Sequence, residues 1–172
     1  MTLTKLKYYV FLRVYLAKIR CCLNKLQENE AKALLTKPLF CEDLGDWMPI
    51  RKSLFIHEIE SGLIDEDGIT TKLHLKFHYF YNPTTKVKNY VFSVYNKTPY
   101  GLERVYQLDI FQTPRLIKDL HKRPHEHIGN KKLALDETFQ NCNFEVALNH
   151  FLSQTKITIN GGVDSPDEFK LK

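Results

Sequence analysis

Between Lys72 and Tyr81 the chain reads KLHLKFHYFY, the strictest alternation in the sequence. Leu73, Leu75, Phe77, Tyr79 and Tyr81 take one side, and Lys72, His74, Lys76, His78 and Phe80 take the other. A period of two describes a half-buried strand and is incompatible with an amphipathic helix. NPTTK at 82–86 is a turn signal after which VKNYVFSVYN returns, so the two segments predict a hairpin. After TPYG at 98–101, ERVYQLDIF alternates again, with Tyr106, Leu108 and Ile110 opposed to Val105, Gln107, Asp109 and Phe111. Upstream, KSLFIHEIE predicts one more strand, separated by the turn-rich SGLIDEDGIT. Together these predict an antiparallel meander of about four strands.

Helical spacing brackets that meander. Leu12, Leu16, Ile19, Leu23 and Leu26 recur at steps of four and three, which predicts a long N-terminal helix stopped near Thr36-Lys37-Pro38. Its apolar face can pack on the sheet or on another chain. Phe144, Ala147, Leu148, Phe151 and Leu152 define an amphipathic C-terminal helix with Asn143 as N-cap. KITIN beyond it is a short edge strand or simply packs, and GGVDSPDEFKLK reads as a loose tail. The expected fold is therefore α+β, a meander packed by both helices. The chain divides into an N-terminal helix over 1–37, an α+β domain over 50–160 and a flexible tail over 161–172. Between the first two, PLFCEDLGDWMPI is an irregular connection in which Trp47 serves as a core anchor.

At 172 residues, 43% hydrophobic and 26% charged, the chain fits a single globular domain and not a disordered or membrane class. The start MTLTKLKYYVFLRVYLAKIRCC has a basic, apolar look, but Arg13, Lys18 and Arg20 interrupt it well short of a membrane span. The four cysteines, Cys21, Cys22, Cys41 and Cys142, have no C-x-x-C spacing, so a reduced, cytoplasmic setting is expected. A formal charge of +5 tilts the choice of partner toward polyanions.

The chemistry-bearing segment is HKRPHEHIGN, residues 121–130. In an extended chain His121, Arg123, His125 and His127 share one side, with neighbouring members about 6 to 7 Å apart. Two imidazoles so placed can serve as general base and acid on a phosphodiester, and Arg123 can hold the phosphoryl group bidentately. Pro124 cannot donate a ladder hydrogen bond, which predicts an edge strand or a loop. Asp109 is the candidate to accept an imidazole N–H and set its tautomer. Packing or solvent exposure alone is the bland alternative for His125 and His127. A zinc or manganese centre using H-x-H with Asp109 or His121 ranks below the metal-free reading, since no H-E-x-x-H, second carboxylate cluster or cysteine pair supports it. No cofactor is expected.

Lys72, His74, Lys76 and His78 form a basic strand face, and Lys122, Lys131 and Lys132 add charge around the histidines. Such a face, with Phe80 beside it, suits single-stranded RNA, although a solvated sheet face explains each residue singly. Neither G-x-x-x-x-G-K-[ST] nor G-x-G-x-x-G occurs, which argues against nucleoside triphosphate hydrolysis and dinucleotide redox chemistry.

The succession VYQLDIFQTP, RPHEHIG and FEVALNHFLSQTKI is similar to a group of small prokaryotic proteins of unassigned function that carry P-H-x-H, and resembles TumE-type toxins of toxin–antitoxin pairs. The matching positions are Leu108, Asp109, Pro124, His125 and His127, and the resemblance covers roughly residues 53 to 159. It implies a cytoplasmic protein of a mobile-element or defence system that acts on RNA and is restrained by a protein partner. The expected function is RNA cleavage by His125 and His127 with Arg123, Asp109 and His121. The rivals are a non-catalytic RNA- or ribonucleoprotein-binding accessory or inhibitor, and protein interaction through the N-terminal helix.

Overall fold

The computed structural model describes residues 26–50, 55–114 and 123–168. In chain order these form helix α1 (Glu28–Leu34), strands β1 (Leu39–Cys41), β2 (Met48–Pro49), β3 (Ile56–Ile64), β4 (Thr70–Asn82), β5 (Val87–Thr98), β6 (Gly101–Gln112), β7 (His125–Ile128) and β8 (Lys131–Ala134), helix α2 (Phe144–Thr155) and strand β9 (Ile157–Ile159). Two 3₁₀ turns, Glu137–Asn141 and Pro166–Glu168, complete the described residues.

The expected four-strand meander packed by a long N-terminal helix is not the architecture. Among the described residues the sheet has nine strands in the order β8-β7-β6-β5-β4-β3-β1-β9, with β2 paired to β3 off that path. It is mixed, because β1 runs parallel to β9 while its other neighbour β3 is antiparallel. The predicted meander segments are its four central strands, β3 to β6. The five additions are strands of two to four residues, too short to carry a readable period.

The long helix is corrected by its first described turn. Gln27 has an extended backbone, φ −73° and ψ 156°, so helix α1 begins there and cannot continue a helix arriving from residue 12. A capping box fixes that start, with the Gln27 amide N–H donating to Glu30 Oε2 at 3.0 Å. Leu12, Leu16, Ile19 and Leu23 lie outside the described residues.

Alternation decides which sheet face is apolar. Leu73, Leu75, Phe77 and Tyr79 of β4, Tyr90, Phe92 and Val94 of β5, and Tyr106, Leu108 and Ile110 of β6 are all buried, and α2 lies across them. Phe151 meets Phe77 edge-on at 5.3 Å between ring centroids, and Phe144 meets Phe92 at 5.6 Å. Such edge-to-face pairs add to burial through the ring quadrupoles. Asn143 caps α2 as expected, its side chain accepting from the Val146 amide at 2.9 Å. Trp47 is buried, and its indole N–H donates to the Asp164 carbonyl at 2.9 Å.

The tail expected to be loose is tied down as far as it is described. Asp167 accepts hydrogen bonds from the hydroxyls of Tyr79 and Tyr90 and pairs with Lys88 at 3.2 Å. Burial first, then Asp167, pushes both tyrosine pKa values far up, so these hydroxyls stay protonated donors. Among the described residues, no helix is long and apolar enough to cross a membrane.

Candidate functional site: a histidine hairpin on the polar sheet face

Opposite the aromatic core, the second sheet face is polar, and register arranges it in transverse rows. One row runs Glu58, His78, Val91, Asp109, His125, Ala134. The next runs Glu60, Lys76, Ser93, Gln107, His127, Lys132. The basic strand face of β4 and the P-H-x-H segment therefore share one face, with β7 three strand spacings from β4, about 14 Å.

Strand β7 is not an edge strand. It pairs with β6 on one side and β8 on the other. Pro124 satisfies its constraint by standing just before the ladder, where its carbonyl accepts from the Leu135 amide at 3.1 Å. The hairpin turns on Gly129, whose φ of +57° is left-handed. Its amide donates to the Val105 carbonyl at 2.8 Å, and its carbonyl accepts from Arg104 Nε and Nη2 at 3.2 and 3.1 Å. A Cβ at this position would meet the Leu26 carbonyl oxygen at 2.6 Å, so glycine is also what lets the turn approach the start of α1.

His125 and His127 do project on one side, with ring centroids 5.0 Å apart and planes inclined at 78°. They are not equivalent. His125 is buried, and its Nδ1 lies 2.8 Å from the Arg123 carbonyl oxygen. A carbonyl only accepts, so Nδ1 carries the proton and Nε2 is the nitrogen able to take another. His127 is half-buried, and its Nδ1 is buried without a hydrogen-bond partner among the described residues. Burial, with Arg104, His125 and Lys132 nearby, pushes its pKa down to about 3. It is neutral near pH 7 and does not match the acid half of a two-histidine pair.

Asp109 faces His125 across β6 and β7. Burial raises its pKa, against the pull of His125, a hydrogen bond from Asn89 and the field of Lys132. The tautomer of His125 is set by the Arg123 carbonyl instead of by this carboxylate, a correction to the expected role. His121 and Lys122 lie outside the described residues.

A depression of about 440 Å³ opens beside the hairpin, lined by Arg123, Pro124, His125, Lys132, Ala134, Leu135, Glu137 and Gln140. Two cations, of which Arg123 is exposed, and the tautomer-fixed imidazole thus border one concavity.

The expected RNA track is less basic than its composition. Lys76 pairs with Glu58 at 2.8 Å and Glu60 at 3.6 Å, and His74 stands 3.9 Å from Glu60. Burial, with Lys76 adding to it, pushes His78 down to about 4, so it is neutral near pH 7. Lys131 pairs with Glu28 at 3.0 Å, while Lys72 is exposed. Glu58 and Glu60 sit on β3, and only pairing places them beside β4.

Sequence reasoning passed over Arg104, Glu137 and Gln140, as well as the buried link in which Glu126 Oε2 accepts from Tyr106 at 2.6 Å and contacts His150 Nε2 at 3.2 Å. His150 holds the Glu126 carboxyl below its ordinary range, and the contact ties β7 to α2. Only the H-E-H alternation hinted that Glu126 faces the core. No group of three or more His, Cys, Asp or Glu among the described residues is placed to hold a metal. Comparison with family models, curated proteins and solved structures returns no match.

Proposed function

We propose that this is a toxin-like RNA-cleaving protein of a prokaryotic mobile-element or defence system, acting in the cytoplasm at the depression beside His125. The observation that carries the reading is the shared lining: a histidine with its Nδ1 proton fixed borders the same concavity as Arg123 and Lys132. Nε2 of His125 takes the proton of a ribose 2′-hydroxyl as that oxygen attacks the adjacent phosphorus. The P–O5′ bond breaks, leaving a 2′,3′-cyclic phosphate, and the imidazolium returns its proton to the departing 5′ oxygen. Arg123 and Lys132 hold the phosphoryl charge, and Asp109 stabilises the imidazolium between the two proton transfers. The TumE-type resemblance supports the substrate class and an antitoxin-like partner.

The test is a cleavage and binding assay on single-stranded RNA in the presence of chelator. H125A is expected to slow cleavage by about a hundred-fold or more while RNA affinity changes by only a few-fold. Undiminished cleavage by H125A rejects the assignment. A second reading, RNA binding without cleavage, is favoured by His127 being neutral and so unable to supply a second imidazolium. Under it the native protein cleaves nothing, and R123A weakens binding.

A further inference from the structure

Phosphate chemistry accounts for only part of the depression beside His125. Pro124, Ala134 and Leu135 give it apolar lining that a sugar–phosphate chain does not need. Glu137 and Gln140 complete it. They are three residues apart in a 3₁₀ turn, where side chains at i and i+3 eclipse, so a carboxylate and an amide project together on one side. Asp136 fixes that turn, its side chain accepting from the Thr138 amide at 2.8 Å. Neither head group has a hydrogen-bond partner within the described residues.

We propose that this lining is a nucleobase subsite that selects guanine, placing the guanosine of an RNA chain beside His125. The inference rests on the cleavage reading and names its substrate preference. A flat base fits between apolar walls, and about 440 Å³ lies within the range of small-ligand sites. The Glu137 carboxylate only accepts hydrogen bonds. Guanine offers it two adjacent donors, N1–H and the N2 amino group, and its O6 can accept from the Gln140 amide. Adenine and cytosine each present a ring-nitrogen acceptor beside their single amino donor, which a carboxylate repels. Uracil has one N–H flanked by two carbonyls. A bidentate contact of this kind discriminates by about ten-fold or more.

The experiment titrates the full chain by calorimetry with the 3′-monophosphates of guanosine, adenosine, cytidine and uridine, and with inorganic phosphate. Guanosine 3′-monophosphate is expected to bind at least about ten-fold tighter than the others. E137Q should remove that preference without moving the thermal midpoint, since Glu137 is exposed. Equal affinity for the four nucleotides, or phosphate binding as tightly as guanosine 3′-monophosphate, overturns the base subsite. If H125A still suppresses RNA cleavage in that case, the proposed function stands without it. A guanosine preference lost in E137Q, in a protein that cleaves no RNA, upholds the subsite and overturns the cleavage. Absence of any nucleotide binding overturns the subsite.

Discussion

His78 and His127 carry a pH dependence whose sign follows from burial. Their pKa values fall to about 4 and about 3 from an ordinary 6.5, so below pH 6.5 the unfolded chain takes up protons that the folded chain refuses. Stability therefore falls as pH falls through that window, by up to about 1.4 kcal/mol per unit for a fully buried group and less for half-exposed His127. Asp109, with its pKa raised, acts in the opposite sense within its own window and offsets part of the loss. Melting between pH 7 and 4.5 should show a falling midpoint, with a shallower fall in H127Q; a flat profile in the native chain contradicts the assignment. Gly129 gives a second residue-scale prediction. G129A puts a Cβ at 2.6 Å from the Leu26 carbonyl at a left-handed φ, and should cost more than about 1 kcal/mol in urea unfolding. A neutral outcome would mean that the hairpin does not depend on its approach to α1.

At the scale of elements, α2 is secured chiefly by its aromatic stripe and only secondarily by its cap. F151A removes a fully buried ring packed on Phe77, Phe92 and Tyr106, and should destabilise by about 3 to 5 kcal/mol. N143A deletes one capping acceptor and should cost about 1 kcal/mol. Chemical denaturation of both variants checks the ordering, and similar losses would place the helix's stability in its terminus. The helix was legible because five apolar residues repeat over nine positions. The β7–β8 hairpin was not, because HEHI and KKLA carry too few apolar residues to show a period, and Pro124 argued for an edge. That argument holds within a strand but not one residue before it.

For the whole molecule, the sheet is closed by contacts far apart in sequence. Asp167 joins the C-terminal segment to Tyr79, Tyr90 and Lys88, and β9 joins the sheet through its parallel partner β1. D167A leaves two hydroxyls without their acceptor, which should lower stability by about 1 to 3 kcal/mol while the fold persists; an unchanged melting temperature would show the tail to be unanchored. Residues at a fixed period, from Leu73 through Ile110, determined by themselves the strands β4 to β6 and their apolar face, because side-chain direction in a strand follows from covalent geometry. Two matters belonged to tertiary structure alone: Glu58 neutralises Lys76, and the turn bearing Glu137 and Gln140 lines the depression beside His125. The physical reason is that charge and protonation depend on which atoms come within a few ångströms, and pairing between distant segments decides that.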